Sequence, residues 1–364
     1  MTDKKIIVSV SNDLCIDQRV HRICDTLTEA GYEVLLVGRR LKNSPEISER
    51  QYKFKRVKLL FNNGLLFYLC LNCRLFFLLM FSKADIFLSN DLDTLLANTF
   101  AARLKRKKLV YDSHELFTEV PELADKKLKK KIWLFVERIC IKKANRSYTV
   151  CQPIADYYNS LYDINMKVVR NLPVQKHITT DFDKRDNILV YQGAINKDRG
   201  VDIMIKAVAA MENCKLYIAG KGNLEDKLKK MTEELDITDR IIFKGVLDFD
   251  SLHQLTQTAK IGFSLEQGNS LNYKYALPNK IFDYIQAGVP VICSDLPEMR
   301  KIVDNYSIGV AANIKDADEL KELIIALLND KAKLENYNAN CIKAAELLNW
   351  ENEKDKLLEV FADL

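Results

Sequence analysis

The sequence predicts an α/β protein made of two doubly wound domains that face one another across a cleft. Two observations carry this expectation. Short runs rich in β-branched and aromatic residues alternate with helical patterns through both halves, the rhythm of parallel sheets covered by helices. At 364 residues the chain is also long for one core and comfortable for two. A polar stretch over 171–187, containing Pro173, separates the halves. Domains are therefore expected at 1–175 and 176–345, with a terminal helix over 346–364 crossing back to the first. No repeat of 20–50 residues occurs, which excludes solenoids and propellers.

Strands of the first half are expected at 6–10, 34–37, 85–88, 108–111 and 147–150, with helices such as 19–30 and 94–104 between them. The run at 65–81, LLFYLCLNCRLFFLLMF, is apolar enough to suggest a membrane span. It is shorter than the roughly 20 residues a span needs, and Asn72 and Arg74 stand near its middle, where a charge is costly. A helix packed in the core or lying at a bilayer interface fits better. Strands of the second half are expected at 188–191, 215–219, 240–243, 261–264 and 289–293, and beyond Asn313 the pattern is helical.

A hydrophobic fraction of 48% and a charged fraction of 29% are those of an ordinary globular protein. A net charge of +5 does not indicate a nucleic-acid partner. The positive residues cluster at 105–108 and 126–131, either as solvated helix faces or as a basic patch toward anionic lipid. Nine cysteines, an odd number, and no secretory leader at 1–6 point to a reducing cytoplasm without disulfides. Cys70 and Cys73 form a lone CxxC inside the apolar run and read as two small hydrophobes.

In doubly wound domains ligands bind beyond the carboxyl ends of the strands, so residues just after each strand are the candidates. The segment 277–292 reads as a short helix running into a buried strand. Pro278 suits a helix's first turn and Gly288 can close one at positive φ. The free N–H groups at Asn279, Lys280 and Ile281 suit an anion, and Lys280 adds a full charge. Asp283, one turn on, can hold a diol such as a ribose.

The loop 193–200 brings Gly193, which admits close backbone approach, together with Lys197 and Arg199 as diphosphate counter-charges. Gly220 lies in a second glycine loop, 219–223, which lacks the third glycine of the dinucleotide fingerprint. That loop reads equally as a structural turn or as a wall for a base. His114, in Tyr-Asp-Ser-His-Glu at 111–115, sits at a strand's carboxyl end. Asp91 and Asp93 invite a metal reading, but a helix begins there at once and capping is the expected job for at least one. Asn12 and Asp17 lie in a polar loop after the first strand, placed to touch an acceptor, although Asp17 and Arg19 read equally as a helix-start ion pair.

Together these motifs resemble glycosyltransferase family 4, retaining enzymes with the GT-B fold of two facing Rossmann-like domains, and in particular those of bacterial cell-surface polysaccharide assembly. The resemblance runs through 17–20, 31–34, 90–95, 111–115, 170–173, 193–200 and 278–292. It implies a metal-independent transfer with a UDP- or GDP-sugar as co-substrate and no cofactor. The second domain would take the donor and the first a glycan or lipid-linked acceptor. His114, Arg199 and Lys280 take the catalytic roles. Gly193, Lys197, Arg199, Gly220, Glu266, Asn279, Lys280, Ile281 and Asp283 form the donor set, and Asn12, Asp17, Asp91 and His114 the acceptor set.

Departures from the family pattern fall on the donor's sugar contacts. Ala194 stands where the family often has Arg, and Arg199 where it usually has Lys. The glycine pair common after the first strand is missing beyond Val10. Asp283 occupies the second position of the paired-glutamate motif, and Tyr275 the first, with Glu266 upstream as the candidate replacement. A GT-B sugar-nucleotide epimerase and a catalytically inactive membrane-associated scaffold are the alternatives. The expected setting is the cytoplasm, with a peripheral contact to anionic membrane left open.

Overall fold

Strand and helix alternate through both halves of the computed structural model, which describes residues 4–364 apart from 16, 48, 121, 122 and 124. Residues 1–3, part of the stretch read as lacking a leader, lie outside the described residues. The chain divides into two compact units, Met1–Asn171 with Glu353–Leu364, and Leu172–Asn352.

Unit 1 runs β1 (Lys5–Ser9), α1 (Gln18–Glu29), β2 (Glu33–Arg40), β3 (Lys53–Lys58), α2 (Gly64–Met80), β4 (Ile86–Asn90), α3 (Leu92–Lys105), β5 (Lys108–Ser113), α4 (Lys127–Cys140), β6 (Arg146–Thr149), α5 (Gln152–Tyr162) and β7 (Met166–Val168). The seven strands pair in parallel in the order β3-β2-β1-β4-β5-β6-β7. The order reverses between β1 and β4. Right-handed crossovers then put α1 on one face and α2 to α5 on the other, and α2 packs on α3 and α3 on α4 accordingly. The run at 65–81 is thus one helix, α2, with a stripe at Phe67, Leu71, Leu75 and Leu79 buried against the layer. Among the described residues no helix is long and apolar enough to cross a membrane.

Unit 2 runs β8 (Ile188–Gln192), α6 (Val201–Ala209), β9 (Lys215–Ala219), α7 (Glu225–Glu234), β10 (Ile241–Gly245), α8 (Phe249–Thr256), β11 (Ile261–Ser264), α9 (Leu271–Lys274), α10 (Asn279–Gln286), β12 (Val291–Ser294), α11 (Pro297–Tyr306), β13 (Gly309–Ala312), α12 (Ala317–Asn329) and α13 (Lys331–Leu347). Its six strands are also all parallel, in the order β10-β9-β8-β11-β12-β13. The order reverses between β8 and β11, so the residues that follow these two strands open side by side. Helices cover both faces, and two apolar clusters form: β8, β9 and β11 with α6 and α12, and α10 with β12, α11 and α13.

The polar stretch over 171–187 is not a free linker. Leu172 is buried in the unit 2 core, and the Thr179 N–H donates to Gln257 Oε1 at 2.7 Å. The last helix, α14 (Trp350–Phe361), starts on unit 2, where the Trp350 N–H donates to the Pro173 carbonyl at 2.7 Å. It ends on unit 1, with Phe361 edge-on to Tyr32 and the Leu364 carbonyl accepting from Lys4 Nζ. This is why the chain re-enters unit 1 at 353 and not at 346.

Candidate functional site

In unit 2 the two glycine loops meet. Gly193, at φ +132°, donates its N–H to the Ala219 carbonyl, and Gly220, at φ +145°, donates to the Gly245 carbonyl. A Cβ on Gly220 would stand 1.9 Å from the Gly193 oxygen, so only glycine allows this approach. A Cβ on Gly193 would lie 3.5 Å from Lys280 Nζ, which places the loop directly over that ammonium. α10 follows. Pro278 is its N-cap at φ −67° and ψ 138°, one residue earlier than a first-turn proline, and Gly288 closes it at φ +62°.

Lys280 is buried, its ammonium 4.4 Å from the Tyr191 ring centre. It donates to Glu266 Oε1 at 2.7 Å, and Arg199 Nη1 reaches the same oxygen at 3.1 Å. Ser264 Oγ donates to Oε2 at 2.7 Å. Burial alone pushes the Glu266 carboxyl up, but Lys280, then the Ser264 hydrogen bond and Arg199, outweigh it and hold the pKa below the usual range. The two cations read as free phosphate counter-charges are therefore already shared by one buried carboxylate. The cluster keeps a net single positive charge. Arg199 stays a quarter exposed, its guanidinium 5.0 Å over Tyr273 and its Nε without a hydrogen-bond partner.

Asp283 Oδ2 accepts from Gln192 Nε2 at 2.7 Å, and Gln192 Oε1 accepts from Thr256 Oγ1 at 2.9 Å. Lys197 and Asn279 are exposed. Ile281 is not available as a donor contact: its side chain is fully buried in the core, and its N–H is spent on the Pro278 carbonyl. Tyr275 caps the short α9.

In unit 1 His114 stands between two carboxylates. Its Nδ1 is 3.2 Å from Asp91 Oδ2 and its Nε2 is 3.1 Å from Asp112 Oδ2. Burial opposes charging the ring, but Asp91 and Asp112 outweigh it and raise its pKa well above the ordinary value, which favours the imidazolium. Asp112 is fully buried in a bidentate pair with Arg19, at 3.0 Å and 2.9 Å. Burial pushes its carboxyl up, Arg19 and His114 pull it down further, and it settles at about 2. Arg19 also donates to the Val169 carbonyl. It serves this pair, and Asp17 adds only the last of the attractions that raise its pKa, with no ion pair between the two among the described residues.

The expected capping by Asp91 or Asp93 does not occur. Asp91 holds the N-cap position of α3 at φ +59°, but its side chain makes no capping bond there; Oδ1 accepts from the His114 N–H at 3.0 Å. Asp93 is buried in the first turn. Burial, and then the charge of Asp91, push its pKa up to about 7, and its Oδ1 has no hydrogen-bond partner. Among the described residues no group of three or more His, Cys, Asp or Glu is arranged to hold a metal ion. Asn12 and Asp17 do come together: Asn12 Nδ2 donates to Asp17 Oδ2 at 2.7 Å, while Asp17 Oδ1 caps α1 at the Val20 N–H.

The sequence reading missed Asp112, Arg19 as its partner, Gln192, and the buried setting of Glu266. Position was the available signal, since Asp112, Gln192 and Glu266 stand at or just beyond the ends of β5, β8 and β11.

Two family models together account for most of the chain: Glycosyltransferase Family 4 over residues 16–172 and Glycosyl transferases group 1 over 175–347. A chitobiosyldiphosphodolichol beta-mannosyltransferase of Candida albicans is 26% identical over 166 residues, which are 43% of this chain and 36% of that protein. The chain thus spans about a third of the length of that relative. Sucrose-phosphate synthase from Thermosynechococcus elongatus superimposes with a TM-score of 0.80 at 17% identity, covering 98% of each chain. The Anabaena protein HepE, solved in complex with UDP-glucose, gives 0.77 at 14% identity, covering 99% of this chain and 100% of that one. At these identities the likeness is one of fold.

Proposed function

The chain belongs to glycosyltransferase family 4, with a group 1 region as its second half and the GT-B fold, and on that premise we propose that it transfers a sugar from a nucleoside diphosphate to a glycan or lipid-linked acceptor. The observation that carries the donor side is the Lys280–Glu266–Arg199 cluster under Gly193. A diphosphate needs close backbone approach and fixed positive charge, and this loop offers both. The net positive charge of the cluster stands where the departing diphosphate gains charge, so it favours departure without reorganisation. Arg199, partly exposed and bonded through one nitrogen, has donors to spare for a phosphate. Lys280 and Glu266 hold it in place.

Asp283, oriented by Gln192, takes the ribose hydroxyls. Among the described residues the carboxylate bonded to Lys280 is Glu266, and it is held by three donors and poorly placed to act as a nucleophile. Retention is what the family resemblance implies, and with Glu266 so engaged it would go by attack on the face the diphosphate leaves. On unit 1 both N–H groups of His114 are held by Asp91 and Asp112. The ring therefore offers positive charge on the acceptor side and fixes the partly exposed Asp91 carboxylate to accept from sugar or acceptor hydroxyls. Asn12 and Asp17 shape the loop beside the first strand. The cations supply the charge that a divalent metal would otherwise supply. HepE bound to UDP-glucose and a relative named for mannosyl transfer to a dolichol-linked chitobiose favour a UDP- or GDP-sugar donor. Nine free cysteines suit a cytoplasmic setting.

The test is a melting-temperature panel over UDP, GDP and their sugars, followed by incubation of the stabilising donor with and without acceptor mixtures in EDTA. A shift with one nucleotide family and acceptor-dependent release of the diphosphate are expected. An isomerised donor formed without acceptor would make the protein an epimerase. Activity abolished by EDTA and restored by a divalent ion would overturn metal independence.

A further inference from the structure

Arg185 is a buried cation that the transfer chemistry above does not use. It stands near the end of the 171–187 stretch, 7% exposed, with its guanidinium 4.9 Å over the Phe182 ring. Its Nη1 donates to the Ala259 carbonyl at 2.8 Å and to the Gly288 carbonyl at 3.3 Å. Its Nη2 donates to the Ala287 carbonyl at 3.2 Å and to Thr180 Oγ1 at 3.0 Å. α10 ends on Ala287 and Gly288, so the guanidinium sits on the negative end of that helix. Arg19, the buried arginine of unit 1, is neutralised by Asp112. Among the described residues Arg185 has no such partner: Asp181, the carboxylate that acts on it, is exposed and bonded to Lys184 at 3.0 Å, and burial pushes the Cys341 thiol up so that it stays neutral. Burial pulls the Arg185 pKa down to about 10, which leaves it charged at neutral pH.

A buried charge without a counter-ion is costly, and a neutral amide could hold the same carbonyls without that cost. The helix gives the charge a place to act. α10 is eight residues long, roughly 12 Å, and its other end carries Asn279 and Lys280 under the Gly193 loop. We propose that Arg185 is a positioning residue for the donor's diphosphate, offsetting the negative end of α10 and adding long-range attraction at its positive end. The path between the two ends is the apolar core around Ile281, Phe282 and Ile285, where a field is weakly screened. The inference rests on the donor reading of the Gly193 loop. Its effect is confined to the charge of the ligand, because the hydrogen bonds of Arg185 include none to Asp283 or to the Lys280–Glu266–Arg199 cluster.

The test compares the full chain with two variants. Arg185→Met removes the charge at similar volume, and Arg185→Lys keeps it while giving up the fork of donors. Each is titrated with UDP and GDP by calorimetry and with uridine and guanosine by ligand-observed NMR, after circular dichroism has shown how much is folded. In Arg185→Met the affinity for the diphosphate that the parent binds should fall about fivefold, with nucleoside affinity unchanged. That is the factor a unit charge roughly 15 Å away supplies at an effective dielectric constant of about 20. Arg185→Lys should stay within about twofold of the parent at pH 6 and fall toward the methionine variant by pH 9, as its buried ammonium loses its proton. Should the methionine variant not fold, this profile of the lysine variant against the parent decides alone. Equal diphosphate affinity in the parent and Arg185→Met overturns the inference and leaves the donor reading intact. So does an equal loss for nucleoside and diphosphate, or a loss in Arg185→Lys that is the same at both pH values, either of which makes Arg185 a structural cap of α10. A parent that binds neither UDP nor GDP overturns the donor reading and this inference with it.

Discussion

Glu266 joins two features that the sequence shows separately. Lys280 and Arg199 were legible as cations after strands, but their partner lies 14 and 67 positions away, and only the neighbouring ends of β8 and β11 bring the three together. Removing the carboxylate's charge leaves a buried ammonium without its counter-ion. Glu266→Gln should therefore cost about 3 kcal/mol of stability in a denaturant titration. Saturating diphosphate should recover more of it than it adds to the parent, because phosphate oxygens replace the lost carboxylate. Asp283→Ala should lower donor affinity about tenfold or more in calorimetric titration, and unchanged affinity would remove Asp283 from the ribose role.

Asp93 carries the pH argument. Its folded pKa of about 7 lies above its ordinary value, so the folded state favours the protonated form. That stability is intact below about pH 4 and is lost as the pH rises to about 7, with roughly 4 kcal/mol at stake. Asp93→Asn should raise the melting temperature clearly at pH 8 and little at pH 4.

At the scale of elements, the central strands were legible because they are continuous β-branched and aromatic runs covered on both faces. The strands that were missed are β3, β7 and β13. β7 and β13 are short sheet edges, and β3, Lys-Phe-Lys-Arg-Val-Lys, carries the charges that protect an edge from pairing with another chain. The α10–β12 segment was read from Pro278 to Ile292 with its boundaries nearly right, because a proline at the start and a glycine at the end are positional signals. The joined glycine loops were not legible as a pair, since their contact depends on β8 and β9 lying in register. Gly220→Ala should cost about 3 kcal/mol or more, because it adds both a disfavoured φ and an overlap with the Gly193 carbonyl. A denaturation midpoint within experimental error of the parent would contradict that close approach.

At the scale of the whole molecule, the two doubly wound units followed from alternation alone and the family from motifs at strand ends, while the strand order and its reversals came from the structure. Where each unit stops could not be read that way. The polarity of 171–187 suggested a linker, but polarity does not reveal that Leu172 is core and that Thr179 and Thr180 are bonded to Gln257. If unit 2 takes the donor as proposed, a nucleoside diphosphate at about 100 times its dissociation constant should stabilise it by about 2.7 kcal/mol. Hydrogen exchange should place that protection in β8, β11 and α10.

The return of α14 to unit 1 has a consequence for biosynthesis. The helix that closes the N-terminal sheet's unit is encoded after the whole of unit 2, so on the ribosome the second unit is complete before the first. Unit 1 must wait with Tyr32 and neighbouring apolar surface uncovered while some 180 residues are made. Chains stalled before residue 353 should carry a finished unit 2 and a unit 1 that proteases still cut.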